Sequence, residues 1–222
     1  MCFSATADVV AGIVVGGLGL DVATHLRGRR EYRALAVLPL LFAVHQLVES
    51  LVWWGTEGTV PHRLGNVSLW VYLLFAFVFL PTYVPWATWC VEPPGARRRL
   101  MAATSLLGLG VSLVLLAAML TGPVTVTAHR HHLAYSTALP ASTLVVTLYV
   151  LATCGAFLFS SEPVIRWFGA VNLVAVAVIA AVTVDGLASV WCGWAAVTSA
   201  AFAAYLRQRE PELFVEPSRL PG

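Results

Sequence analysis

The chain contains no lysine; all 13 of its basic residues are arginine. A retinal-linked pump or sensor needs a lysine amine for its Schiff base, so that class is excluded. Charge of either sign is scarce. Asp, Glu, Lys and Arg together make up 11% of 222 residues, where a soluble domain carries about 25%. The net charge of +2 is too small to signal a nucleic-acid partner. Four cysteines are present (Cys2, Cys90, Cys154 and Cys192), and none forms a C-x-x-C pair, which excludes a zinc ribbon or a thioredoxin-type motif. There is no Walker loop, no G-x-S-x-G elbow and no H-E-x-x-H string. A basic n-region is also missing before the first apolar stretch, which is therefore expected to be a retained helix rather than a cleaved signal.

What the chain has instead is apolar length. Hydrophobic residues make up 59% of the sequence and mean hydropathy is +0.82. A helix crossing the ~30 Å hydrocarbon core needs about 20 apolar residues. Seven such segments are expected: 5–26, 33–54, 67–91, 100–121, 139–160, 164–184 and 187–206. The predicted fold is all-α, a polytopic seven-transmembrane-helix bundle over residues 1–207, with a short tail over 208–222. The lipid bilayer is its expected partner. Arg27, Arg29, Arg30, Arg33, Arg97, Arg98, Arg99, Arg166, Arg207, Arg209 and Arg219 fall on one side of this alternation, and only Arg63 and Arg130 on the other. The positive-inside rule then places the N-terminus outside and the C-terminus in the cytoplasm. Gly16-Gly17-Leu18-Gly19 and Gly108-Leu109-Gly110 should let helix backbones approach closely. Pro81 and Pro85 should bend the third span.

Ionisable groups at membrane depth are costly and call for a partner, a wet cavity or a function. The second span holds His45-Gln46-Leu47-Val48-Glu49. His45 and Glu49, four apart, share one helix face, with Gln46 and Trp53 flanking it. Such a pair can join helices by a buried hydrogen bond, bind a ligand, or supply metal ligands with Glu49 as general base. Other polar residues map to the same outer level: Asp8 near the start of span one, Asp185 at the end of span six, and Trp191 and Cys192 in span seven. His129, His131 and His132 lie in what reads as an exposed polar loop before span five, from which an imidazole could reach the pair. Cys2 and Cys192 can form a disulfide, hold a soft metal, or pack as small apolar residues.

Four strings together resemble an uncharacterised family of bacterial integral-membrane proteins. They are Met1-Cys2-Phe3-Ser4-Ala5; His45-Gln46-x-x-Glu49-x-x-x-Trp53; Phe77-Val78-Phe79-Leu80-Pro81 with Pro85; and Ser189-Val190-Trp191-Cys192. The resemblance covers nearly the whole chain. It implies a seven-helix protein of the bacterial inner membrane and marks Cys2, His45, Gln46, Glu49, Trp191 and Cys192 as pattern positions.

Two functional classes follow, and a third without a ligand. The first is a binding or sensing protein, with an outward-facing polar pocket built on His45, Gln46, Glu49, Trp53, Asp8, Asp185 and Trp191, taking a small ligand or a divalent metal ion. The second is a membrane-embedded hydrolase, in which a metal held by His45 and the loop histidines His129, His131 or His132 activates water and Glu49 acts as general base on a lipid-like substrate. The third is a structural bundle whose polar groups only satisfy one another.

Overall fold

The computed structural model describes residues 4–25, 32–137, 139, 141–183 and 186–208, with backbone alone at 25 and 206–208. Helix α1 runs Ala5–His25, α2 Arg33–Ala36, α3 Leu38–Thr56, α4 His62–Leu73, α5 Leu80–Val91, α6 Ala96–Thr121, α7 Ser142–Leu158, α8 Pro163–Val182 and α9 Leu187–Gln208. A π-helical turn, Leu74–Phe79, joins α4 to α5. Six stretches are long and apolar enough to cross a membrane: Ala5–Thr24, Arg33–Thr56, His62–Val91, Ala96–Thr121, Pro163–Val182 and Leu187–Tyr205. Helix α7 is apolar but only 17 residues long.

The helices pack in a closed circuit, α1 on α3, α3 on α4, α5 on α6, α6 on α7, α7 on α8, α8 on α9 and α9 back on α1. Contacts of α3 with α9 and of α5 with α7 fill the centre. The outer faces stay apolar: Ile13, Leu106, Leu120 and Val182 are exposed. A surface of that kind is stable only against lipid or a partner.

The third span departs from a plain bent helix. In a regular α-helix the Pro81 ring would clash with the Phe77 carbonyl four residues back. The wider π turn immediately before Pro81 relieves that clash, as such turns do. Widening loosens the local hydrogen-bond ladder, and neighbouring helices serve its carbonyls. Ser112 of α6 donates to the Val78 carbonyl at 2.7 Å, and Tyr149 of α7 donates to the Ala76 carbonyl at 2.7 Å. Pro85 has no N–H to offer the Pro81 carbonyl. That oxygen instead lies against Gly108, where any Cβ would collide with it. Gly110 has open space around it, so only the first glycine of that string sits at the α5–α6 crossing.

The expected polar loop before span five is a β-hairpin, added to an otherwise helical bundle. Strand β1, Val124–Ala128, pairs antiparallel with β2, Leu133–Thr137, with Val126 opposite Tyr135. The cause is visible in Val124-Thr125-Val126-Thr127: strict alternation of apolar and polar β-branched residues favours a strand. Val124, Val126, Leu133 and Tyr135 turn inward onto the cluster formed by Ala5, Trp53, Tyr72 and Cys192. The hairpin therefore covers one end of the bundle, and α7 starts only at Ser142, not at 139.

Candidate functional site

Helix α3 places His45, Glu49 and Trp53 at i, i+4 and i+8, one stripe facing the interior. All three are buried, with Gln46 and Glu49 fully inaccessible. Tyr135 of the hairpin donates to Glu49 Oε1 at 3.2 Å, and Gln46 Nε2 donates to Glu49 Oε2 at 3.3 Å. The carboxylate is thus held by its own helix and by the hairpin above. Cys192 of α9 is buried beside the Tyr72 hydroxyl and near Glu49.

His45 is intercalated between two aromatic rings. Its imidazole stacks on Tyr72 at 4.1 Å between centroids and lies 4.4 Å from Phe75 on the other face. The stack continues both ways. Tyr72 stacks on Tyr135 at 4.5 Å, and Phe75, Phe79, Tyr83 and Trp86 follow at 5.3, 4.6 and 5.5 Å. Seven rings make a continuous ladder from the hairpin to the far end of α5. This clamp fixes the imidazole plane and leaves its edge to do the polar work.

That edge is unsatisfied. Among the described residues, His45 Nε2 and Trp53 Nε1 are buried and have no hydrogen-bond partner. A buried orphan polar atom costs about 1–3 kcal/mol and is rare enough to need a reason. Here two orphans flank one buried carboxylate on a single helical stripe.

Other expected residues fall variously. Asp8 is fully buried in the first turn of α1, whose Ala5 packs with Trp53 and Cys192. Trp191 meets Tyr149 edge-on at 5.5 Å. Cys2 and Asp185 lie outside the described residues. His129, His131 and His132 form the tip of the hairpin, where His129 stacks on His132 at 5.0 Å and His132 packs on Gly186. The hairpin reaches Glu49 through the Tyr135 hydroxyl. Among the described residues, no three of His, Cys, Asp and Glu come together as a metal site.

Beside the polar stripe lies an elongated apolar cavity of ≈ 60 Å³ between α3, α5, α7, α8 and α9. Its wall includes Phe42, Val84, Phe168 and Asn172, and it reaches Trp191 and Cys192. Cys192 thus borders both this cavity and the Tyr72–Glu49 cluster. Sequence reasoning missed Tyr72, Tyr135 and the cavity. The strand alternation carried a signal for Tyr135, because it shares inward parity with Leu133.

A family model, described as a family of unknown function (DUF6629), matches residues 1–216. The chain belongs to that family. No curated protein and no solved structure matches it. The DUF6629 match covers the whole aromatic ladder, the hairpin and the His45–Glu49 stripe.

Proposed function

We propose that this DUF6629 protein is a seven-span membrane protein that binds a small amphipathic ligand at the His45–Glu49–Trp53 stripe. Helix α7, at 17 residues, meets the lower bound of about 17 for a crossing segment. With seven crossings the arginine asymmetry puts the N-terminus and the hairpin outside and the C-terminus in the cytoplasm. The setting that fits is a bacterial inner membrane.

The observation that carries the ligand reading is the orphaned pair, His45 Nε2 and Trp53 Nε1, on either side of buried Glu49. Glu49 accepts, the indole N–H donates, and the imidazole nitrogen can do either. A hydroxyl- or amine-bearing head group would satisfy all three. The apolar cavity reached through Cys192 would take the body of the same molecule. Its walls are almost wholly apolar, which suits a ligand drawn from the bilayer.

A divalent metal, and with it the hydrolase, needs about three protein ligands and an open position. His45 and Glu49 supply two, so the amphipathic ligand ranks first. The test is to purify the protein in its native lipids and identify what accompanies it by mass spectrometry and elemental analysis. The expected result is one non-phospholipid organic molecule per chain, lost in Glu49→Gln and in His45→Ala. A metal lost from the same variants would instead establish the second reading. Empty wild-type protein would leave only the structural bundle.

A further inference from the structure

The arginine-rich end of the bundle holds a second constellation, separate from the polar stripe. Three consecutive arginines open α6, and their partners differ. Arg97 donates to the Ser160 carbonyl at 3.0 Å, where Arg166 also donates at 2.8 Å. Both serve the α7–α8 turn. Arg98 does something else. Its guanidinium lies over the Trp89 ring, 4.1 Å from the centroid, and its Nε is buried without a hydrogen-bond partner among the described residues. A ring face attracts the charge but accepts no directional N–H bond of ordinary strength. Arg99 is exposed beside it. The two arginines, with Trp89, Pro94, Gly95 and Ala102, line an open notch. Among the described residues, no acidic side chain lines it. The nearest carboxylate in sequence, Glu92, is buried and engaged with the Ser161 amide and the Ser160 hydroxyl.

Below the notch the surface turns apolar. Trp86 shares a helix face with Trp89, and Leu106 shares one with Ala102 and Arg99. Trp86 is 46% and Leu106 71% exposed. Two guanidiniums over an aromatic floor, with an apolar lane leading toward mid-membrane, match one chemical object. That object has a phosphodiester at the interface, net negative charge, and acyl chains running inward. A guanidinium fork suits phosphate oxygens, and surface arginines add about 1 kcal/mol each toward anionic lipid. A zwitterionic headgroup would bring its own cation to two arginines and lose that gain.

We propose that the notch formed by Trp89, Arg98, Arg99 and Ala102 binds the headgroup phosphate of an anionic phospholipid, with its acyl chains along Trp86 and Leu106. This inference rests on the membrane-spanning reading but not on the ligand at Glu49. The test uses the full chain in phosphatidylcholine vesicles doped with brominated phosphatidylglycerol or, in parallel, brominated phosphatidylcholine. Bromine on a bound lipid quenches nearby tryptophan fluorescence. The expected result is excess quenching by the anionic lipid, half-complete at roughly thirtyfold lower lipid fraction, the scale set by two interfacial charges. R98Q/R99Q should abolish the excess, and W86F/W89F should remove it by removing both reporters at the site. W167F, altered on α8, should keep it. Arg99→Gln alone leaves the Arg98–Trp89 stack in place and should lose part of the excess, which decides the matter should the double variant fold poorly. Inorganic phosphate should relieve no more quenching than chloride at equal ionic strength. Equal quenching by both lipids, an excess that survives R98Q/R99Q or W86F/W89F, an unchanged excess in Arg99→Gln, or specific relief by phosphate would each overturn the proposal.

Discussion

Glu49 and Glu92 are both buried, at opposite ends of the bundle, and their surroundings differ. Glu92 is 4% exposed and closes a joint. It accepts from the Ser161 amide at 2.8 Å and the Ser160 hydroxyl at 3.2 Å, while Arg97 and Arg166 hold the Ser160 carbonyl. Glu49 is 0% exposed, and its bonds from Tyr135 and Gln46 are longer, at 3.2 and 3.3 Å. Around Glu92 each polar atom named has a partner. Around Glu49 two nitrogens do not. Burial of charge alone therefore does not mark a functional site; the distinction comes from counting the satisfied neighbours.

The contrast can be broken by substitution. The largest loss should come from Gly108→Val, which drives a side chain into the Pro81 carbonyl at the α5–α6 crossing. We expect about 3 kcal/mol or more in a denaturation assay; Gly110→Val on the same helix, with open space around it, should stay within about 0.5 kcal/mol. Glu92→Ala should follow closely, at about 3 kcal/mol, because it strands an amide and a hydroxyl at a helix junction. A Glu92→Ala protein as stable as wild type would remove the structural role assigned to that end. Tyr135→Phe should cost about 1 kcal/mol, the worth of one hydrogen bond to a buried carboxylate. It should also weaken ligand retention, since it frees the hairpin from Glu49. Glu49→Gln should change stability least, within about 1 kcal/mol, because the amide keeps one acceptor and removes a buried charge. An unfolding midpoint that drops as far in Glu49→Gln as in Glu92→Ala would make the two ends alike.

Much of the scaffold was legible because its physics is local. The apolar runs lie within about five residues of the long helices at either end. They gave no sign of the hairpin, whose alternation begins at Val124. His45, Gln46, Glu49 and Trp53 stood out because i, i+4 and i+8 spacing on one helix is written in the chain itself. What could not be read was the company they keep. Tyr72 and Tyr135 reach His45 and Glu49 from elements 27 and 86 residues away along the chain, and no spacing rule links them. The same limit applies to Arg97 and Arg98, adjacent in sequence and opposite in role, because their partners Ser160 and Trp89 come from the α7–α8 turn and from α5.

The most direct test of the central claim is the mass of the intact protein released from native membrane into the gas phase. The orphaned His45 and Trp53 nitrogens predict wild type carrying one added small molecule per chain, and Glu49→Gln, equally well folded, carrying none. Identical masses for the two, after correction for the substitution, would contradict a ligand at this stripe and make Glu49 a second structural joint.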